Sequence, residues 1–238
     1  MQTSLFQQAS LFSQAESASP SASPMGSSEK PSQADRQQPW TEAVFSVIDI
    51  ETTGLNPKKT DITEIVAIQY KNGEFLSMFS TLVQPELGEV TPESTAITGI
   101  TAEMLTDSPK LQTALEQLSA FLPQHPVIVG HNVPFDIGFL REKAQTKGVT
   151  PLLTQLNLQN ALCTKVLAQK LLPGLPSYAG MVVATQCGVV NTRAHRAEND
   201  VRMCAGILFK LLEKWQATQP VPQQLSDIYA FQGALSSR

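Results

Sequence analysis

The chain has 238 residues, 42% of them hydrophobic, which suffices for one domain of ordinary size with a buried core and a tail or two. A formal net charge of −4 and a pI near 5.4 argue against a protein that grips duplex nucleic acid by bulk phosphate neutralisation, since such proteins carry broad basic surfaces. Cys163, Cys187 and Cys204 are odd in number and form no C-x-x-C pair, so neither a disulfide framework nor a zinc knuckle is indicated.

Residues 1–40 are rich in Ser, Gln, Ala and Pro with no apolar periodicity beyond two Leu-Phe pairs, and are expected to be disordered. From Ala43 the character changes. A-V-F-S-V-I-D-I, I-T-E-I-V-A-I-Q-Y and G-E-F-L-S-M-F-S-T-L-V read as three strands, with K-N-G turning between the last two. Their short connections predict an antiparallel meander. A loop containing Pro85 and Pro92 follows, then K-L-Q-T-A-L-E-Q-L-S-A-F-L with helical spacing, then P-V-I-V-G-H-N as a short buried strand. A helix is expected from Pro134 to about Lys147, with Pro in the first turn where its missing N–H costs least.

The remainder reads as helices over roughly Ala161 to Leu172, Tyr178 to Cys187 and Ala197 to Trp215. Past Thr218, Pro220, Pro222 and a polar end predict a loose tail, so the expected division is tail 1–40, folded domain 41–216 and flexible tail 217–238. Strands first and mostly helices later, with a βαβ step between, describe an α/β protein with a mixed sheet and helices against it. No apolar run approaches the ~18 residues of a membrane span, and the start of the chain lacks a secretory pattern. The expectation is a cytoplasmic protein with no membrane partner.

Chemistry concentrates in three strings: V-I-D-I-E-T-T-G-L with Asp49 and Glu51, G-H-N-V-P-F-D-I-G-F-L with Asp136, and H-R-A-E-N-D with His195 and Asp200. Asp49 and Glu51 are two apart on a strand, so their side chains leave the same face and can share one site. Asp136 falls in the first turn of its helix, where a carboxylate also favours the positive helix end. His195 and Asp200, five apart, would sit ~140° apart on a regular helix, which places His195 just before the helix and Asp200 one turn inside. Acids set in apolar runs are seldom buried unless paired or bound to metal. Four carboxylates with an imidazole at the edge suit hard cations, Mg²⁺ or Mn²⁺, rather than zinc. Two such ions can steady the attacking and leaving oxygens of a phosphodiester displacement, with His195 as general base. Taken singly, Asp49 as a turn residue, Asp136 as a helix-terminal charge and His195 as a surface histidine are ordinary structural features. Their joint occurrence in longer strings is not.

In order, the three strings resemble the exonuclease motifs of the DnaQ-like DEDDh family, over about Phe45 to Leu212. The resemblance implies a ribonuclease H-like fold, a five-stranded sheet made of the meander plus parallel strands, and removal of nucleotides from 3′ ends with two divalent ions. It implies Asp49, Glu51, Asp136 and Asp200 as metal ligands and His195 as base. The tyrosine class of the family places Tyr four before the last acid, where this chain has Arg196. Thr52, Thr53, Gly54 and Leu55 are then expected at the terminal nucleotide, with Leu55 as an apolar wedge. His131, Asn132 and Phe135 are substrate-binding candidates, and the alternative reading has His131 and Asn132 tying their loop together and Phe135 filling the core. Many members carry His-Gly-Ile where this chain has Thr98-Gly99-Ile100.

The expected tail holds Gln2-Thr3-Ser4-Leu5-Phe6 and Gln8-Ala9-Ser10-Leu11-Phe12, both fitting Q-x-S-L-F. They resemble the peptide by which bacterial replication proteins bind the sliding clamp, with Leu and Phe filling an apolar pocket. The function expected is a 3′–5′ exonuclease of single-stranded or frayed DNA, associated with proofreading or replication and with a DNA polymerase partner. An RNA 3′-trimmer of the same family is the nearest alternative, and a non-catalytic clamp adaptor a more distant one.

Overall fold

The computed structural model describes residues 36–190, 196–221 and 223–236. β1 (Val44–Thr52), β2 (Ile62–Lys71) and β3 (Glu74–Leu82) form the expected antiparallel meander, with Asn72 and Gly73 at positive φ in the β2–β3 turn. β4 (Val127–Gly130) runs parallel to β1, and β5 (Ala161–Cys163) parallel to β4, giving a five-stranded sheet of order β3-β2-β1-β4-β5. The architecture is the mixed ribonuclease H-like α/β sheet with helices on both faces.

β1 is central and buried on both sides, so its alternation feeds two cores. Even positions, Ile48 and Ile50, join Ile65 and Ile128 under α3 (Leu111–Phe121), α4 (Pro134–Lys147) and α5 (Thr150–Gln155). Odd positions, Phe45 and Val47, join Val66 and Ile68 under α6 (Thr164–Leu171), α7 (Gly180–Gln186) and α8 (Ala197–Gln216). Full burial of each such side chain contributes about 1.5–3 kcal/mol, which makes β1 a fixed platform for whatever extends its odd row. Asp49 and Glu51 extend it.

Several segments depart from the sequence-based expectation. The loop around Pro92 contains two short helices, α1 (Pro92–Thr98) and α2 (Ala102–Leu105), capped by the side chains of Thr91 and Thr101. The expected helix from Ala161 begins as strand β5, and its helical part starts only at Thr164. The tail beyond Thr218 is not loose: α9 (Leu225–Gln232) buries Leu225 and Ile228 in the α8 core. At the other end, Trp40 is 7% exposed and its indole N–H donates to Gln216 Oε1 at 3.3 Å. Pro39 also bridges to Gln224. The folded region therefore extends beyond 41–216 in both directions, because the apolar Trp40, Leu225 and Ile228 complete one core. The disorder expected of residues 1–35 lies outside the described residues.

A buried ion pair ties the start of β2 to the helix that carries Asp136. Lys143 Nζ lies 2.5 Å from Asp61 Oδ1, with side chains 4% and 2% exposed. The other Asp61 oxygen accepts the backbone N–H groups of Glu86 and Leu87 at 2.6 and 2.5 Å. Removing one partner of such a pair costs about 3–5 kcal/mol because the other charge is left stranded. Among the described residues, no helix is long and apolar enough to cross a membrane.

Candidate active site

Three elements deliver carboxylates to one spot at the end of β1. Asp49 and Glu51 project from the strand towards α8, and Asp200 comes from the first turn of α8. Single carboxylate oxygens of these three lie within 4.8 Å of one another. Asp136, in the first turn of α4 and only 4% exposed, enters from the end of β4 close enough for its charge to raise the pKa of Asp49. Of the four acids expected from the sequence, Asp49, Glu51 and Asp200 share one spot and Asp136 acts on Asp49 through its charge. His195 lies outside the described residues.

The electrostatics are those of unneutralised repulsion. Burial, then the charges of Asp136, Glu51, Asp200 and Glu64, hold the Asp49 carboxyl far above the ordinary range. Glu51 is pushed up to about 7 by burial and by Asp200 and Glu64, with Arg196 pulling it down. Asp136 is pushed up to about 8, mainly by burial, against backbone hydrogen bonds at Asp136 and Ile50. Oxygen-only donors forced together in a partly dry site form the donor set of a hard divalent cation, which would relieve this repulsion. The residues present fit such an ion.

Glu64 went unnoticed in the sequence and is central here. It stands opposite Glu51 in the β1–β2 register and is 3% exposed. One oxygen accepts from Arg196 Nη2 at 3.1 Å and the other from the Ala197 N–H at 3.2 Å. It thereby caps α8 from outside the helix and fixes Arg196, the residue next to His195 in sequence. The only signal available was an acid inside the otherwise apolar I-T-E-I-V run.

The expected substrate contacts divide. Leu55 is 85% exposed in the β1–β2 loop, an apolar side chain held in solvent at the end of the strand that carries Asp49 and Glu51. Thr52 Oγ1 donates to the Gly54 carbonyl at 2.8 Å, and Thr53 Oγ1 accepts from the Asp61 N–H at 3.0 Å, so both hydroxyls shape the loop. A Cβ on Gly54 would lie 2.8 Å from Thr60 Cγ2, so close packing within the loop accounts for this glycine. His131 follows the loop-tying alternative: Nδ1 meets Thr164 Oγ1 and Nε2 meets the Tyr178 carbonyl, each at 2.9 Å. Burial lowers its basicity. Asn132 adopts a left-handed conformation at φ 76°, and Phe135 packs partly buried with its ring 5.1 Å from that of Phe139. Thr98 bonds locally to the Ser94 carbonyl and the Ile100 N–H.

A family profile described as Exonuclease matches residues 46–208. Over 175 residues the chain is 33% identical to the DNA polymerase III subunit epsilon of Aquifex aeolicus (strain VF5), covering 73% of this chain and 82% of the relative. It is 36% identical over 172 residues to the PolC-type DNA polymerase III of Thermotoga maritima, covering 72% of this chain and 12% of that much longer protein. Among solved structures, Exonuclease X in complex with 5′ overhanging duplex DNA superposes with a TM-score of 0.55 at 23% identity, covering 78% of this chain and 99% of the other. E. coli Exonuclease I in complex with a dT13 oligonucleotide gives 0.63 at 20%, covering 74% and 42%. At these identities the structural likeness speaks for the fold.

Proposed function

The chain belongs to the DnaQ-like exonuclease family and is a 3′–5′ exonuclease, and from that premise we propose that it shortens single-stranded or frayed DNA 3′ ends in association with replication or proofreading. The observation that carries the reading is the convergence of Asp49, Glu51 and Asp200 on one spot at the end of β1, with Asp136 near enough to raise the Asp49 carboxyl. These four would hold two divalent cations, Mg²⁺ or Mn²⁺, which when bound supply charge stabilisation for both the attacking and the leaving oxygen of a phosphodiester. His195 would accept the proton of the attacking water, since an imidazole of pKa about 6.5 is poised for that task near neutrality. Glu64 holds the start of α8 and Arg196 in place beside it. Leu55 would wedge against the terminal base, and its exposure is free of any packing role.

DNA is favoured over RNA because relatives matching most of this chain are named as DNA polymerase III components. A polymerase partner follows from the same names, and a sliding clamp from the two Q-x-S-L-F peptides. The four carboxylates themselves address the scissile phosphate and not the sugar. Matched DNA and RNA strands of one sequence, labelled at the 5′ end and incubated with Mg²⁺, Mn²⁺ or EDTA, test the reading. We expect stepwise shortening of DNA from the 3′ end, at least about tenfold faster than RNA, a margin worth 1.4 kcal/mol, and none in EDTA or with Asp49→Ala. Faster RNA degradation would move the protein to RNA trimming, and undiminished turnover in Asp49→Ala would dismantle the site.

A further inference from the structure

The loop that presents Leu55 is closed at its base and fastened to the helix that carries Asp136. The Thr53 N–H donates to the Asp61 carbonyl at 2.8 Å and the Asp61 N–H to Thr53 Oγ1 at 3.0 Å, so residues 54–60 leave and return through one pair of contacts. From this base the Asp61 carboxylate reaches α4 through Lys143, and the segment after β3 through the Glu86 and Leu87 N–H groups. We propose that Lys143 and Asp61 are positioning residues, whose buried pair holds Leu55 at a fixed spacing from the carboxylates and so lets the enzyme discriminate an intact terminal base. This rests on the reading of Leu55 as the contact to the terminal nucleotide.

The spacing along α4 shows how one element can set both parts. Asp136, Lys143 and Lys147 are seven and then four residues apart, which places them within ~20° of one line along the helix. A single stripe of α4 therefore sends Asp136 to the carboxylates, Lys143 to Asp61 and Lys147 to Glu86, the last at 2.5 Å. Lys143 stands ~10 Å from Asp136 along the axis. The Asp136 carboxyl is governed by burial, by backbone hydrogen bonds and by Glu51, so Lys143 acts on the site through the backbone rather than through its charge. The loop begins two residues beyond Glu51 on β1 and ends at Asp61, and it is thus tied to both elements that carry buried acids. The 86–88 segment is equally close to it: a Cβ on Gly88, at φ 78°, would lie 3.0 Å from Thr53 Oγ1.

Stability alone does not account for this pair. Burying two charges is a poor route to stability, because apolar residues of equal volume generally do as well or better. Direction is what the pair adds. One Asp61 oxygen is taken by Lys143 Nζ at 2.5 Å and the other by two backbone N–H groups at 2.6 and 2.5 Å, so the carboxylate is held from two sides at once. An apolar contact could slide by an ångström with little loss, and a displacement of that size in a substrate-positioning group is costly to turnover. Leu55 has no packing of its own to hold it, and its position must come from the base of the loop.

The test compares the full-length wild type with Lys143→Met and with Lys143→Met combined with Asp61→Asn. Two strands are used in Mg²⁺: dT12, and the same strand with a stable abasic residue at its 3′ end. Lys143→Met strands the Asp61 charge and should melt well below the wild type. The double variant buries no charge, keeps an acceptor for the Glu86 and Leu87 N–H groups, and should melt within about 5 °C of the wild type. The wild type should favour the intact end in kcat/KM by about tenfold, the value of one apolar contact. In both variants that ratio should fall to about twofold or less. Both strands meet the same folded fraction, so the ratio does not depend on how much of the chain is folded. Leu55→Ala should show the same fall, and adding it to the double variant should change the ratio no further.

A loss shared equally by the two strands, with the ratio kept at its wild-type value, means a merely structural pair and overturns the proposal. Losses that multiply when Leu55→Ala is added also overturn it, because Lys143 and Asp61 would then not act through the loop. A wild type that removes both ends equally well overturns it too, while leaving the exonuclease reading in place. A wild type inert on both strands overturns the exonuclease reading itself.

Discussion

Asp136 is where burial and function pull hardest against each other. Its carboxyl, pushed up to about 8 chiefly by burial, stands beside Glu51 at about 7 and Asp49, itself raised well above the ordinary carboxylate range by burial. In the unfolded chain these groups titrate near ~4. Between that value and the folded one, the native state binds protons that the unfolded state does not, so in the absence of metal stability falls as pH rises from ~4 through ~8. Asp136→Asn should therefore melt above the wild type in EDTA at pH about 8.5, with the gap closing towards pH about 5 where the wild-type acid is already neutral. Millimolar Mg²⁺ should reverse the order at the higher pH, because ion binding stabilises only the chain with its ligands intact. Identical melting temperatures across that range would mean the cluster carries no repulsion. His195→Ala should lose turnover by on the order of 10²–10⁴-fold while keeping the metal-induced rise in melting temperature. Parallel collapse of metal binding would make the histidine a ligand instead. The four acids were legible because each sits in a distinctive string. Glu64 was not, since its meaning lies in a cross-strand register with Glu51 and a contact to Arg196, 132 positions away in sequence.

At the scale of elements, periodicity succeeded where an element was long and failed where it was short. The meander announced itself through long apolar runs with short turns, α4 through Pro134 in its first turn and α8 through its long apolar-periodic run. β5 did not: Ala161–Cys163 is three apolar residues joined directly to a helix, and no period can be read from three positions. α9 was masked by Pro220, Pro222 and a polar surround, and its signal was no more than Leu225 and Ile228, one helical turn apart. That turn is part of the core, with Ile228 fully buried among α8 side chains. Ile228→Ala should accordingly destabilise the protein by about 2–5 kcal/mol, as core truncations do, measured by chemical denaturation with the slope unchanged. A cost below about 0.5 kcal/mol, typical of surface changes, would restore the loose tail that the sequence suggested.

For the whole molecule, the decisive quantity is charge. A net of −4 gives the chain little long-range pull on a polyanion, and its basic contacts are few and local. Association with a DNA end would then benefit from a tether, and the two Q-x-S-L-F peptides at residues 2–6 and 8–12 are proposed to supply one, their Leu and Phe filling an apolar pocket of the clamp. Deleting residues 1–20 should leave turnover on a short free oligonucleotide unaltered, since every carboxylate of the site comes from Asp49 onward. Binding to the host's sliding clamp, followed by calorimetry or surface resonance, should vanish. Replacing Leu5, Phe6, Leu11 and Phe12 together with Ala should reproduce the deletion if those side chains supply the contact. Changing one Leu-Phe pair separates two modes of attachment: a modest loss means that either peptide suffices, and a loss of about 10²-fold or more means that both bind at once on a multivalent ring. Equal clamp affinity of intact and shortened chains would remove the tether, and the acidic enzyme would then have to be delivered to DNA by the proposed polymerase partner alone.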